Sequence, residues 1–175
     1  MLDIALKYKD ELQKLYINTW HQDKYKYYHY NCYHSLPEFT DSTWGGHDFV
    51  SINDKGQIVG CIWYAIRRET NSVYNLCIIN FTDDIITFGK DLRQALKDIF
   101  EKFNFHKLSY SVVIGNPVEK QYDKLTLKYG GRIVGVEKQD TKLFDNKYYD
   151  VKRYEILRED YMKAKENENE NIFNM

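Results

Sequence analysis

His29, Cys32 and His34 lie close enough in sequence to ligate one zinc ion, and His21 and His47 stand on either side of them. No fourth ligand is evident, however, and the same segment carries Tyr25, Tyr27, Tyr28, Tyr30 and Tyr33. A tyrosine-rich packed segment explains it without a metal, so no metal site is expected. Cys32, Cys61 and Cys77 are odd in number and widely spaced, which reads as reduced thiols in a cytoplasmic protein. Cys61 and Cys77 fall in apolar runs and suit small core positions. Asn116 can accept from the orphan amides of a helix start, with Pro117 at the first helical position and Glu119 three residues after the cap. Trp44-Gly45-Gly46-His47 reads either as a turn beside a packed ring or as the lining of a pocket.

The elements that position these residues centre on Val73–Gly131. A strand is expected at Val73–Phe81 and a helix from Gly89 to Phe103. Leu92, Ala95, Leu96, Ile99, Phe100 and Phe103 recur at helical spacing, with Lys90, Asp91, Arg93, Lys97, Asp98 and Lys102 on the opposite face. A strand at Leu108–Ile114 leads into a helix carrying Val118, Tyr122, Leu125 and Tyr129 on one side, stopped by Gly130 and Gly131. Strands alternating with helices at this pitch argue for crossover connections and some parallel pairing.

Upstream, Leu2–Tyr16 reads as a first helix and Thr19–Tyr33 as a second helix followed by a loop. Ser35-Leu36-Pro37 breaks it, and Asp41–His47 reads as a loop. Phe49–Asn53 is a short strand. Asn53-Asp54-Lys55-Gly56 is a hairpin signal. Gln57–Arg68 is a long strand with bulk on both faces, hence central and buried on two sides. Downstream come strands at Arg132–Lys138 and Lys147–Leu157, separated by a polar excursion. The expected fold is one α/β (α+β) domain over residues 1–160, a mixed, mostly antiparallel sheet of about six to seven strands flanked by helices. Arg158–Asn169 is charged and reads as starting in a helix, and residues 161–175 as a polar, frayed C-terminal tail.

Composition narrows the function classes. The 175 residues suit one domain with a sizeable core. Twenty-five basic residues face 26 acidic ones, a net charge of −1, which gives no basic field for nucleic acid. No apolar run approaches the roughly 20 residues that span a bilayer, and Leu2–Tyr16 lacks the pattern of a signal peptide. The 16 tyrosines make much of the apolar content amphipathic, with hydroxyls that need partners when buried. The oligomeric state is left open, a homodimer included.

In this order of elements the chain resembles the GNAT superfamily of acyl-CoA N-acyltransferases. The resemblance is clearest from Ile58 to Gly131 and in Gly131-Arg132-Ile133-Val134-Gly135. It implies a sheet that splays between its fourth and fifth strands to take the pantetheine arm of acetyl-CoA or another acyl-CoA as co-substrate. The fourth strand would be Val73–Phe81, with Cys77, Ile78 or Ile79 offering backbone to the donor and to the oxyanion. The diphosphate would lie against a helix start at Phe88–Arg93, where Gly89, Lys90 and Arg93 fall, and Asn116 would border the donor.

The sequence departs from the family's Gln/Arg-x-x-Gly-x-Gly/Ala spacing. Asp91 and Arg93 stand where small residues normally let backbone approach phosphate, and Lys90 and Arg93 would compensate by charge. The family often carries a tyrosine shortly before the glycine that closes the last helix, as general acid. That place holds Thr126, or Leu125 in the adjoining register, leaving Tyr122 as the candidate. Glu69, at the end of the third strand, is the candidate base, and Trp44 and His47 are candidates for the acceptor pocket. The implied activity is direct acyl transfer to an amine of unknown identity. A second reading keeps the fold without the activity, as a binding or assembly module of phage or accessory-genome origin.

Overall fold

The computed structural model describes residues 1–28 and 36–173, with side chains to residue 167. His29, Cys32 and His34 lie outside the described residues. Seven strands form one sheet: β1 (Leu2–Ile4), β2 (Gly46–Ile52), β3 (Ile58–Arg67), β4 (Ser72–Asn80), β5 (Lys107–Val113), β6 (Arg132–Lys142) and β7 (Tyr148–Leu157). Their order is β1-β2-β3-β4-β5-β7-β6, antiparallel at every step except β4–β5. The helices are α1 (Lys9–Thr19), α2 (Ile85–Lys97), α3 (Glu119–Lys128) and α4 (Arg158–Phe173).

The expected first helix is shorter than its periodicity suggests. Leu2–Ile4 pair with Ser51–Phe49 and extend the sheet by one strand. Asp3 accepts from the Ile4 amide and from Lys7 Nζ, at 2.7 Å each, which fixes a 3-10 turn before α1 begins at Lys9. This strand makes Ser72–Asn80 the fourth in order. Within the stretch expected as a second helix and loop, Asp23–Tyr25 form a 3-10 turn, and its residues 29–33 lie outside the described residues. β6 runs on to Lys142, four residues past its expected end, because Thr141 and Lys142 pair again with Tyr149 and Tyr148 after an irregular stretch. α4 takes in most of the stretch read as a tail, and its Tyr161 is 4% exposed and stacked on Phe100.

Rows of paired residues build a core on each side of the sheet. Ile66 opposite Val73, Val73 beside Leu108, Leu108 opposite Ile156 and Tyr110 opposite Tyr154 form one row. With Leu96, Ile99 and Phe100 of the α2 arm and Tyr161, they make the larger core. Val50 opposite Cys61 and Cys61 opposite Ile79 form the other, covered by Leu12 and Tyr16 of α1 and by Tyr25 and Phe39. β3 is therefore buried on both faces, as its bulk predicts. Gly60 is where β3 meets α2: a Cβ there would stand 2.3 Å from the Ile79 carbonyl and 2.5 Å from the Phe88 ring.

Candidate active site

β4 and β5 touch over two rungs only, Ser72 with Lys107 and Val73 with Leu108. Beyond Val73 the register of β4 on β3 shifts: Ala65 faces Tyr74, whereas Trp63 faces Cys77. Asn75 is the extra residue, with φ +51°, a left-handed conformation that asparagine tolerates better than most side chains. A bulge bends its strand and increases the local twist, and here β4 leaves β5 behind. The result is a V, open toward Asn80 and Val113. Along the unpaired side of β4, alternate backbone N–H and C=O groups face the gap.

A cavity of about 70 Å³ lies in the V, lined by Cys77, Ile78 and Ile79 from β4, Val113 from β5, and Asn116 and Tyr122 from the α3 arm. A groove of about 640 Å³ shares Trp63, Leu76, Cys77 and Ser111 with it, and carries Asp48, Asn75 and Arg153 among its other residues. The two spaces meet at Leu76 and Cys77. The Asp48 carboxylate, on the groove wall, is pushed above the usual carboxylate range by burial. Its hydrogen-bond partner among the described residues is the Thr40 amide at 3.5 Å.

Solved structures match this arrangement over most of the chain. A probable acetyltransferase is 14% identical, covering 89% of this chain and 91% of that one at a TM-score of 0.63. A spermidine N-acetyltransferase SpeG chimera from Vibrio cholerae and hSSAT is 22% identical, with coverage of 88% and 82% and a TM-score of 0.58. The Vibrio cholerae spermidine/spermine N-acetyltransferase SpeG, in complex with manganese ions, gives 20%, 88%, 77% and 0.57. No protein-family model and no curated protein matches the chain. The fold is that of the GNAT acyltransferases.

Within the GNAT fold, several expected site residues come together. Cys77, Ile78, Ile79, Asn116 and Tyr122 all line the V. The expected cap at Asn116 is displaced: α3 starts at Glu119 after Val118, which has no side-chain cap bond. Asn116 instead works in the preceding turn, where its Oδ1 accepts from the Val118 amide at 3.1 Å while Glu119 accepts from the Gly115 amide at 3.1 Å. Tyr122 packs edge-on against Tyr110 and Tyr154, with ring centroids 5.7 and 6.4 Å apart. Thr126, at the family's tyrosine position, is fully buried and bonded to the Tyr110 hydroxyl at 2.6 Å, so it offers the V nothing.

The expected helix start at Gly89 is corrected. α2 starts at Ile85, capped by Asp84, whose carboxylate accepts from the Thr87 amide at 3.0 Å. Phe88–Arg93 is therefore helix interior, where backbone amides are spent on the helix itself. Phe88 is buried against Val59, Ile62 and Ala95. Gly89 faces open space, and Lys90 and Arg93 are exposed. Asp91 is buried and accepts from the Ser51 hydroxyl at 2.7 Å and the Met1 amine at 2.9 Å. The true tip of α2 holds Asp83 and Asp84, and that Thr87 bond holds the Asp84 carboxyl below its usual range. Two carboxylates at a helix tip oppose a diphosphate.

The remaining candidates sit elsewhere. Glu69 is exposed in the turn between β3 and β4, at the closed end of the V. Trp44 is 73% exposed, with the Arg68 guanidinium 5.1 Å from its ring centre. His47 is wedged among Phe49, Tyr64, Phe103 and Phe105, with Nδ1 2.9 Å from the Tyr64 hydroxyl. These positions give none of the three a place in the groove. Asp48 and Asn75 were not expected from sequence. Both depend on strand register, Asn75 through the bulge of β4 on β3 and Asp48 through the pairing of β2 with β3.

Proposed function

We propose that the protein is an N-acyltransferase that takes an acyl group from a thioester, with acetyl-CoA or another acyl-CoA as the expected donor, and passes it directly to an amine. The observation that carries this is the divergence of β4 from β5 after two rungs, with a bulge at the branch. A thin arm lying along β4 can pair with backbone groups that have no strand partner, and its carbonyl end would reach Leu76 and Cys77. An amine lying in the groove approaches the same two residues from the other space. The amine, in its neutral form, adds through nitrogen to the thioester carbon, and the β4 amides hold the oxyanion. The carbon–sulfur bond breaks, the nitrogen gives up its proton to water, and Tyr122 would give the sulfur a proton and regain one from solvent.

No covalent nucleophile is needed. The spermidine enzymes among the structural neighbours make a polyamine a reasonable first acceptor to try, and the acidic Asp48 on the groove wall suits a cationic amine. Thermal unfolding with acetyl-CoA tests the donor half of the reading. Binding to the folded state raises the midpoint by an amount set by RT ln(1 + [L]/Kd), about 2.7 kcal/mol at a hundredfold excess over Kd. A flat midpoint at millimolar acetyl-CoA would leave the chain as a fold without the donor site.

A further inference from the structure

Residues 23–28 cross the open end of the V. On one side the Tyr25 hydroxyl donates to the Phe81 carbonyl at 3.2 Å, just past the end of β4, and Lys24 pairs with Asp83 at 2.9 Å. On the other side Lys26 pairs with Asp145, in the turn between β6 and β7, at 2.8 Å. Lys26 also donates to the Tyr149 hydroxyl at 2.6 Å and lies 4.8 Å from that ring's centre. Tyr27 meets Tyr149 edge-on at 6.1 Å, and its hydroxyl stands 3.4 Å from where a Cβ on Gly115 would be. The Lys26–Asp145 pair is about one-fifth exposed on each partner (21% and 23%). Its ammonium and the Tyr149 hydroxyl hold the Asp145 carboxyl down at about 2.

Between these anchors Tyr27 and Tyr28 line the cavity itself. The space left, about 70 Å³, is far below the roughly 300–1,000 Å³ of ordinary small-molecule sites. The segment thus stands where the donor arm has to pass. Its ends and its middle are held differently. Tyr25 is 6% exposed and belongs to the core under α1, and Tyr28 packs against the same core and edge-on to Tyr25, with ring centroids 5.8 Å apart. Lys26 and Tyr27 between them are held by a charge pair and ring edges.

We propose that Lys26 and Tyr27 form a strap, held between Tyr25 and Tyr28, that bars the V until the two side chains lift away from Asp145 and Tyr149. This rests on the transferase reading above. The closed arrangement lowers the apparent donor affinity by the fraction of molecules that are open. Loosening the clamp therefore strengthens binding without adding any contact to the donor.

Calorimetric titration of the full chain with acetyl-CoA tests this, using Asp145→Asn to remove the charge that holds Lys26 and Tyr27→Ala to remove the ring from the cavity. Melting curves without ligand confirm that each variant is folded. Both variants are expected to bind about tenfold more tightly than the wild type, as for a strap closed in roughly nine molecules of ten. Equal or weaker binding in both variants, with measurable binding in the wild type, overturns the strap and leaves the transferase reading intact. No binding heat from any of the three overturns the transferase reading itself.

Discussion

In the proposed transfer, Tyr122 is the residue that would protonate the leaving sulfur. Its ring packs edge-on against Tyr110 and Tyr154, and phenylalanine keeps that ring. Tyr122→Phe is expected to lower kcat about a hundredfold or more if the hydroxyl protonates the departing sulfur, with KM for the donor and the melting midpoint little changed. A steady-state assay of thiol release reads the split. His47 carries a different prediction. Burial first, then the Arg68 and Lys102 charges, push its pKa below the ordinary 6.5. The folded state thus binds its proton less readily than the unfolded chain does, so this group's stabilisation is complete above about pH 6.5 and fades as pH falls toward the lowered value. His47→Gln is expected to cost stability at neutral pH through lost ring packing, yet to flatten the decline between about pH 7.5 and pH 5. Urea midpoints across that range distinguish the two slopes.

At the scale of elements, the start of α2 decides how the donor's charge could be met. The apolar stripe from Leu92 to Phe103 made the helix plain in the sequence. Its first turn was not plain, because Ile85-Ile86-Thr87 is β-branched and Gly89 resembles a beginning. Asp84 settles the start by accepting from the Thr87 amide, and the amides expected for phosphate fall inside the helix. Asp84→Ala separates cap from ligand. It is expected to lower stability through the lost cap, while tightening acetyl-CoA binding by relieving repulsion at the tip. Denaturant melts and calorimetry on the same sample measure the two effects, which have opposite signs. The start of α3 shows the contrary case: Asn116 and Glu119 satisfy local amides, so the turn that leads into it was readable from four neighbouring residues.

For the molecule as a whole, local patterns revealed the elements and left their meetings unseen. The V was foreseen through resemblance, and its branch point at Asn75 follows from a bulge that depends on the β3 register. Asp48, Tyr27 and Asp145 acquire their places only from strands and turns far apart in sequence. The same geometry raises a question of cohesion, since β1–β4 and β5–β7 share only two backbone rungs. What joins the halves is the core on one face. Phe100 sits in it at 1% exposure, stacked on Tyr161 with centroids 4.6 Å apart, in the cluster that holds Val73, Leu108 and Tyr154. Phe100→Ala is expected to cost about 3–5 kcal/mol, a large share of the roughly 5–15 kcal/mol that stabilises a domain. Because that core spans both halves, they should unfold together. Trp20, Trp44 and Trp63 all precede β4, so their fluorescence reports the first half, while far-UV circular dichroism reports both. Coincident urea transitions by the two probes, shifted in parallel by the substitution, are the expected result. Separate transitions would show that the two rungs, and not the shared core, set the cohesion of the sheet.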